Sequence, residues 1–171
     1  IGCLVGSEMC IRDRFQGSAL FDSKYVEETV KFPLDILTET PEKEKLEKVN
    51  HCLVLVVLNK VNQKMPSELC VGMKKRVGIA RAIVNDSKSL FCDEPNSGLD
   101  PLTAIKIDDL ILELTQKLKT PPIVVTHDMN SVVEIGEYIM FLHEGKKLWE
   151  GNNKKILKTN IKELNEFVFS N

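Results

Sequence analysis

Apolar residues repeat at helical spacing from position 25 to about 49, with Val26 and Val30 one turn apart. Pro33-Leu34 interrupts the pattern, and Thr40-Pro41-Glu42 opens a second helix with proline in its first turn and acids near its start. Leu53-Val54-Leu55-Val56-Val57-Leu58 then breaks the periodicity with a run that suits a strand and is an aggregation hazard if exposed. A third helix, 73–84, sets Val77, Ala80, Ile83 and Val84 on one side, leaving Lys74 and Lys75 to a solvated face and Arg81 to phosphate or solvent. Leu90-Phe91-Cys92 is short, apolar and cut off by Asp93-Glu94-Pro95, the pattern of a buried parallel strand. Ile105, Ile107, Leu110, Ile111, Leu114 and Leu118 mark a helix over 102–119, opened by Pro101 and stopped by Pro121-Pro122.

Ile123-Val124-Val125-Thr126 reads as the next buried strand, ending in His127-Asp128, and a short helix follows over 130–136. Two runs, 138–142 and 146–150, flank His143-Glu144-Gly145 as a hairpin. Two short helices close the chain at 152–158 and 161–169, the last presenting Leu164, Phe167 and Val168 to the body. Strand, helix, strand in alternation predicts an α/β fold: a mostly parallel sheet with helices on both faces, plus a small helical part over about 25–75.

Composition narrows the function classes. With 171 residues, 43% hydrophobic and 28% charged, the chain can bury one ordinary core. A net charge of −2 argues against a nucleic-acid partner held by bulk electrostatics. The five cysteines form no C-x-x-C pair and Cys92 falls inside a strand, so disulfides and zinc are not expected and a reducing cytoplasm fits. No apolar run approaches the length of a membrane span, so direct membrane insertion is not expected.

The chemistry concentrates at Asp93-Glu94. Ligands of open α/β sheets bind at the carboxyl ends of strands, and two adjacent carboxylates there suit a magnesium and phosphate site, one holding a hydrated ion and the other accepting a proton from water. The alternative is an acidic turn after a core strand. Asp93-Glu94-Pro95 with Ser97-Gly98-Leu99-Asp100-Pro101 resembles the Walker B strand and D-loop of ATP-binding cassette (ABC) ATPases. In the family's order, 72–83 resembles the signature helix and Ile123 to Asp128 the strand of the switch histidine. Phe15-Gln16-Gly17-Ser18-Ala19-Leu20-Phe21 resembles the Q-loop.

The resemblance covers residues 15–171 and implies a three-layer P-loop NTPase domain using ATP and Mg²⁺, working as a homodimer beneath a membrane permease at the inner face of the plasma membrane. It also implies roles. Asp93 would hold Mg²⁺ through water, with Gln16 reaching the metal and the attacking water; Glu94 would polarise that water; His127 and Gln16 would sense the γ-phosphate. Cys70, Val71, Gly72 and Met73 would face the opposite subunit's nucleotide, and Ser97, Gly98, Leu99 and Asp100 would cross the dimer interface. The wording of 15–21, Pro66-Ser67-Glu68-Leu69 and the Gly-Met-Lys-Lys-Arg-Val run looks most like Mla/Mce-type phospholipid-trafficking ATPases.

The sequence departs from the family in several places. Cys70-Val71 stand where a serine and glycine are usual; a thiol is a poor donor, and a β-branched residue crowds a backbone that must approach phosphate. Residues 51–58 read as inserted. Gly-x-x-x-x-Gly-Lys-Ser/Thr occurs nowhere, so the residues that would cradle the phosphates are absent and the chain alone is expected to be inactive. Residues 1–14 resemble translated adapter sequence, and a non-native leader followed by an N-terminally truncated domain is expected. Two other function classes stay open: a catalytically inactive ABC-like binding or regulatory module, and a soluble ABC ATPase outside transport.

Overall fold

The computed structural model describes residues 20–169, so residues 1–14, expected to be a leader, and Gln16 lie outside the described residues. Two compact units divide the chain, one ending at Val125 and the other beginning at Thr126.

In the first unit, helix α1 (Val26–Leu37) starts where the Glu28 carboxylate accepts the Tyr25 N–H at 2.8 Å. It continues through Pro33 instead of stopping there, because Val26, Val30 and Leu34, one turn apart, are all fully buried. Burial worth about 1.5–3 kcal/mol per side chain matches the roughly 3 kcal/mol an interior proline costs. Helix α2 (Glu42–Leu55) takes in the first half of the apolar hexamer that suited a strand, and the rest turns out of the helix. Along the run Leu53, Val56 and Leu58 are buried, while Val54 and Val57 are exposed. Arg76 Nη1 donates to the Val56 carbonyl at 3.3 Å, tying this end to the next helix.

A 3₁₀ turn (Pro66–Glu68) leads into α3 (Val71–Ile83). Strand β1 (Leu90–Asp93) follows, then α4 (Pro101–Leu118) and β2 (Pro122–Val125). The strands pair in parallel, Leu90 opposite Pro122 and Asp93 opposite Val125, with α4 as the crossover. Val77, Ala80 and Ile83 of α3, Leu90 and Cys92 of β1, and Ile107, Ile111 and Leu114 of α4 share one core with α1 and α2. The second strand is not the buried one its composition suggests. Ile123 and Val125, on the opposite face of β2 from core-packed Val124, are 49% and 56% exposed.

The second unit builds a smaller core. Helix α5 (Met129–Ile135) precedes the antiparallel pair β3 (Ile139–His143) and β4 (Lys146–Gly151). Glu144 and Gly145 have φ of 49° and 74°, the two positive values a type I′ hairpin turn requires. Helices α6 (Asn153–Ile156) and α7 (Lys162–Phe169) bring Ile156, Leu164 and Val168 against Ile139, Phe141 and Trp149. Phe167 lies 5.5 Å from Phe141, so the apolar face expected of the last helix is the one that packs.

Candidate functional site

Helix α3 begins at Cys70, whose backbone is extended and whose thiol makes no cap to the first turn. Cys70 and Val71 are exposed, Met73 is half-buried against the core, and Gly72 is buried. A Cβ on Gly72 would stand 2.9 Å from Thr103 Cγ2, so glycine is needed here for close packing of the first turns of α3 and α4.

One turn beyond Gly72, Lys75 is 8% exposed, not solvated as its charge suggested. Its ammonium donates to the Glu94 carbonyl at 2.8 Å. Burial pushes the Lys75 ammonium below its ordinary range, and the Glu94 and Asp93 carboxylates pull it back up. The signal was present in the sequence: Gly72, Lys75, Ile79 and Ile83 are spaced 3, 4 and 4 apart and all lie on the buried stripe of α3.

Asp93 ends β1 and Glu94 follows it, both half-buried. Glu94 takes φ +50°, uncommon for a residue with a side chain and set immediately before Pro95. Its N–H donates to the Val125 carbonyl at 2.8 Å, extending the β1–β2 ladder one residue past the strand. The turn then runs through Ser97 and Gly98, both exposed, with Gly98 at φ +77°. Buried Asn96 donates from Nδ2 to Asp108 Oδ1 at 2.9 Å, anchoring this turn to α4. Half-buried Leu99 packs against the core. Asp100 caps α4 by accepting the Thr103 N–H at 3.1 Å, and its bonds to Thr103 hold its carboxyl below the usual carboxylate range.

The start of α3, the carboxylate end of β1 and the turn into α4 therefore meet through Gly72 and Thr103, Lys75 and Glu94, and Asp100 and Thr103. His127 is exposed and belongs to the second unit, where Thr126 Oγ1 accepts the Asp128 N–H at 3.0 Å and Asp128 caps α5. Among the described residues no group of three or more His, Cys, Asp and Glu side chains could hold a metal ion by itself. The carboxylates at the strand end instead suit a magnesium ion that keeps waters and takes its other oxygens from phosphate. Cys92 is buried, and its thiol is pushed up to about 12, so it takes no part as a thiolate. Among the described residues no helix is long and apolar enough to cross a membrane.

A family model described as ABC transporter matches residues 9–97. The chain is 38% identical over 137 residues to the methionine import ATP-binding protein MetN of Halalkalibacterium halodurans, covering 80% of this chain and 40% of that protein. It is 36% identical over 144 residues to the glycine betaine/carnitine transport ATP-binding protein GbuA of Listeria monocytogenes, covering 84% of this chain and 36% of that one. The chain thus spans about two fifths of the length of the curated relatives it matches. Among solved structures, cbiO1 from Clostridium perfringens, part of the transporter complex cbiONQ, superimposes with a TM-score of 0.74 at 31% identity, covering 82% of this chain and 55% of that one. The post-hydrolysis dimer of the ATP-binding cassette MJ0796 bound to ADP and Pi gives 0.71 at 30% identity over 81% of this chain and 61% of that one. The fold is that of a P-loop ABC cassette, and the chain belongs to the ABC transporter family.

Proposed function

We propose that this chain is part of the ATP-hydrolysing subunit of an ABC transporter, acting as a dimer beneath a membrane permease. The observation that carries this reading is the Asp93-Glu94 pair, held at the end of a parallel strand and tied by Lys75 to the helix that starts at Cys70. Asp93 would hold magnesium, and Glu94 would take the proton of the attacking water. Gln16 and His127 contact the γ-phosphate side, Cys70 to Met73 face the partner's nucleotide, and Ser97 to Asp100 lie at the dimer interface. ATP bound with Mg²⁺ supplies the phosphoryl group transferred to water, and such transfer depends on positioning and charge neutralisation.

The phospholipid cargo expected from the sequence wording is not what the relatives support. Their names speak of methionine import and of glycine betaine and carnitine transport. A small zwitterionic solute is the cargo class those names favour. The uncapped Cys70-Val71 start of α3 favours a second reading, a binding module without turnover.

Magnesium-dependent ATP hydrolysis by the full-length protein, alone and with its membrane partner, separates the two. The transport reading predicts turnover that EDTA abolishes and the partner stimulates. Nucleotide binding without turnover in either state would establish the second reading instead.

A further inference from the structure

We propose that Lys75 is a positioning residue for Glu94: brought by α3 to the end of β1, its ammonium holds the backbone turn that sets the direction of the Glu94 side chain. This rests on the reading of Glu94 as the water-activating carboxylate.

Glu94 sits at φ +50° and precedes a proline, a combination that persists only where the surroundings over-determine it. Those surroundings are identifiable. The Glu94 N–H is tethered to the Val125 carbonyl at 2.8 Å, while its own carbonyl accepts both the Ser97 N–H at 3.3 Å and Lys75 Nζ at 2.8 Å. With the backbone fixed at both ends, the Cα–Cβ direction follows. Lys75 brings one of these tethers from α3, the helix whose first turn is Val71 to Lys74. A movement of that helix start reaches Glu94 through this charged hydrogen bond.

A buried ammonium is a poor device for stability, since an apolar side chain of similar length removes the cost of desolvating the charge. It is a good device for position and field, because a charge-assisted bond is short and strong and the same charge faces both carboxylates.

The test uses the full-length protein, with Lys75→Met, Lys75→Gln and Lys75→Arg beside Glu94→Gln. Lys75→Met is expected to lower kcat about 10- to 100-fold, the scale of a small misplacement of a catalytic group, with KM for MgATP nearly unchanged and Tm equal or higher. Lys75→Gln and Lys75→Arg, which keep a donor, should recover part of the rate, and Lys75→Met should cost nothing further in a Glu94→Gln background. An unchanged kcat for Lys75→Met beside an inactive Glu94→Gln overturns the proposal and leaves the role of Glu94 standing. A parallel fall of kcat and Tm in all three Lys75 variants makes the residue merely structural and also overturns it. Full turnover by Glu94→Gln removes the role of Glu94 itself, and the proposal with it.

Discussion

Cys70 occupies an extended position at the start of α3, where serine, threonine or aspartate would accept an N–H of the first turn and cysteine does not. Cys70→Ser should raise stability by about 1 kcal/mol, read as a higher denaturation midpoint with unchanged slope. An unmoved midpoint would mean that the first turn gains nothing from a hydroxyl acceptor. Lys75 carries a second prediction at this scale. Its folded pKa lies below the ordinary 10.5, so folding pays for a buried charge at neutral pH, and that cost disappears as pH rises toward 10.5. Stability relative to Lys75→Met should therefore increase on going from pH 8 to 10, whereas a flat or falling difference would contradict the burial seen here. The place of Asp93 and Glu94 at the end of a strand was legible from residue types alone. Lys75 was not, because charge overrode position: its place on the stripe of Gly72 and Ile79 said buried, while its ammonium said solvent.

The end of α2 shows the same competition at the level of an element. Leu53 to Leu58 has the β-branched composition of a strand, yet Val49, Cys52 and Leu53 already face the core in a helical frame. The helix closes in a Schellman motif: the Leu58 N–H donates to the Leu53 carbonyl at 2.8 Å and the Val57 N–H to the Val54 carbonyl at 2.9 Å, with Leu53 and Leu58 buried together. Val57 consequently adopts φ +58°, a left-handed conformation in which a branched Cβ is strained. Because its side chain is exposed, Val57→Gly should stabilise the protein by about 1 kcal/mol. A destabilised variant, measured by chemical denaturation, would show that Val57 contributes packing that its exposure conceals. The other helices and strands follow the sequence to within a residue or two, since proline, glycine and acidic caps mark their ends; α1 outruns Pro33 because Leu34 has a core to enter.

For the whole molecule, motif order carried the family, and the cassette fold bears that out, while the phospholipid cargo read from the wording is not what the relatives' names support. The described residues place α3, β1 and the following turn together in one unit, with His127 in the other. No Gly-x-x-x-x-Gly-Lys-Ser/Thr occurs in the 171 residues, so Asp93 and Glu94 are present without a phosphate-holding loop. The 171-residue chain on its own should consequently show no magnesium-dependent ATP turnover above a Glu94→Gln control, and turnover by it would disprove the need for that loop. The central claim, that Glu94 takes the proton of the attacking water, is tested most directly by Glu94→Gln in the full-length protein, measuring hydrolysis rate and ATP-held dimer together. Loss of the base should cut turnover by about 10²-fold or more while ATP still holds the dimer; a rate equal to wild type would contradict the account.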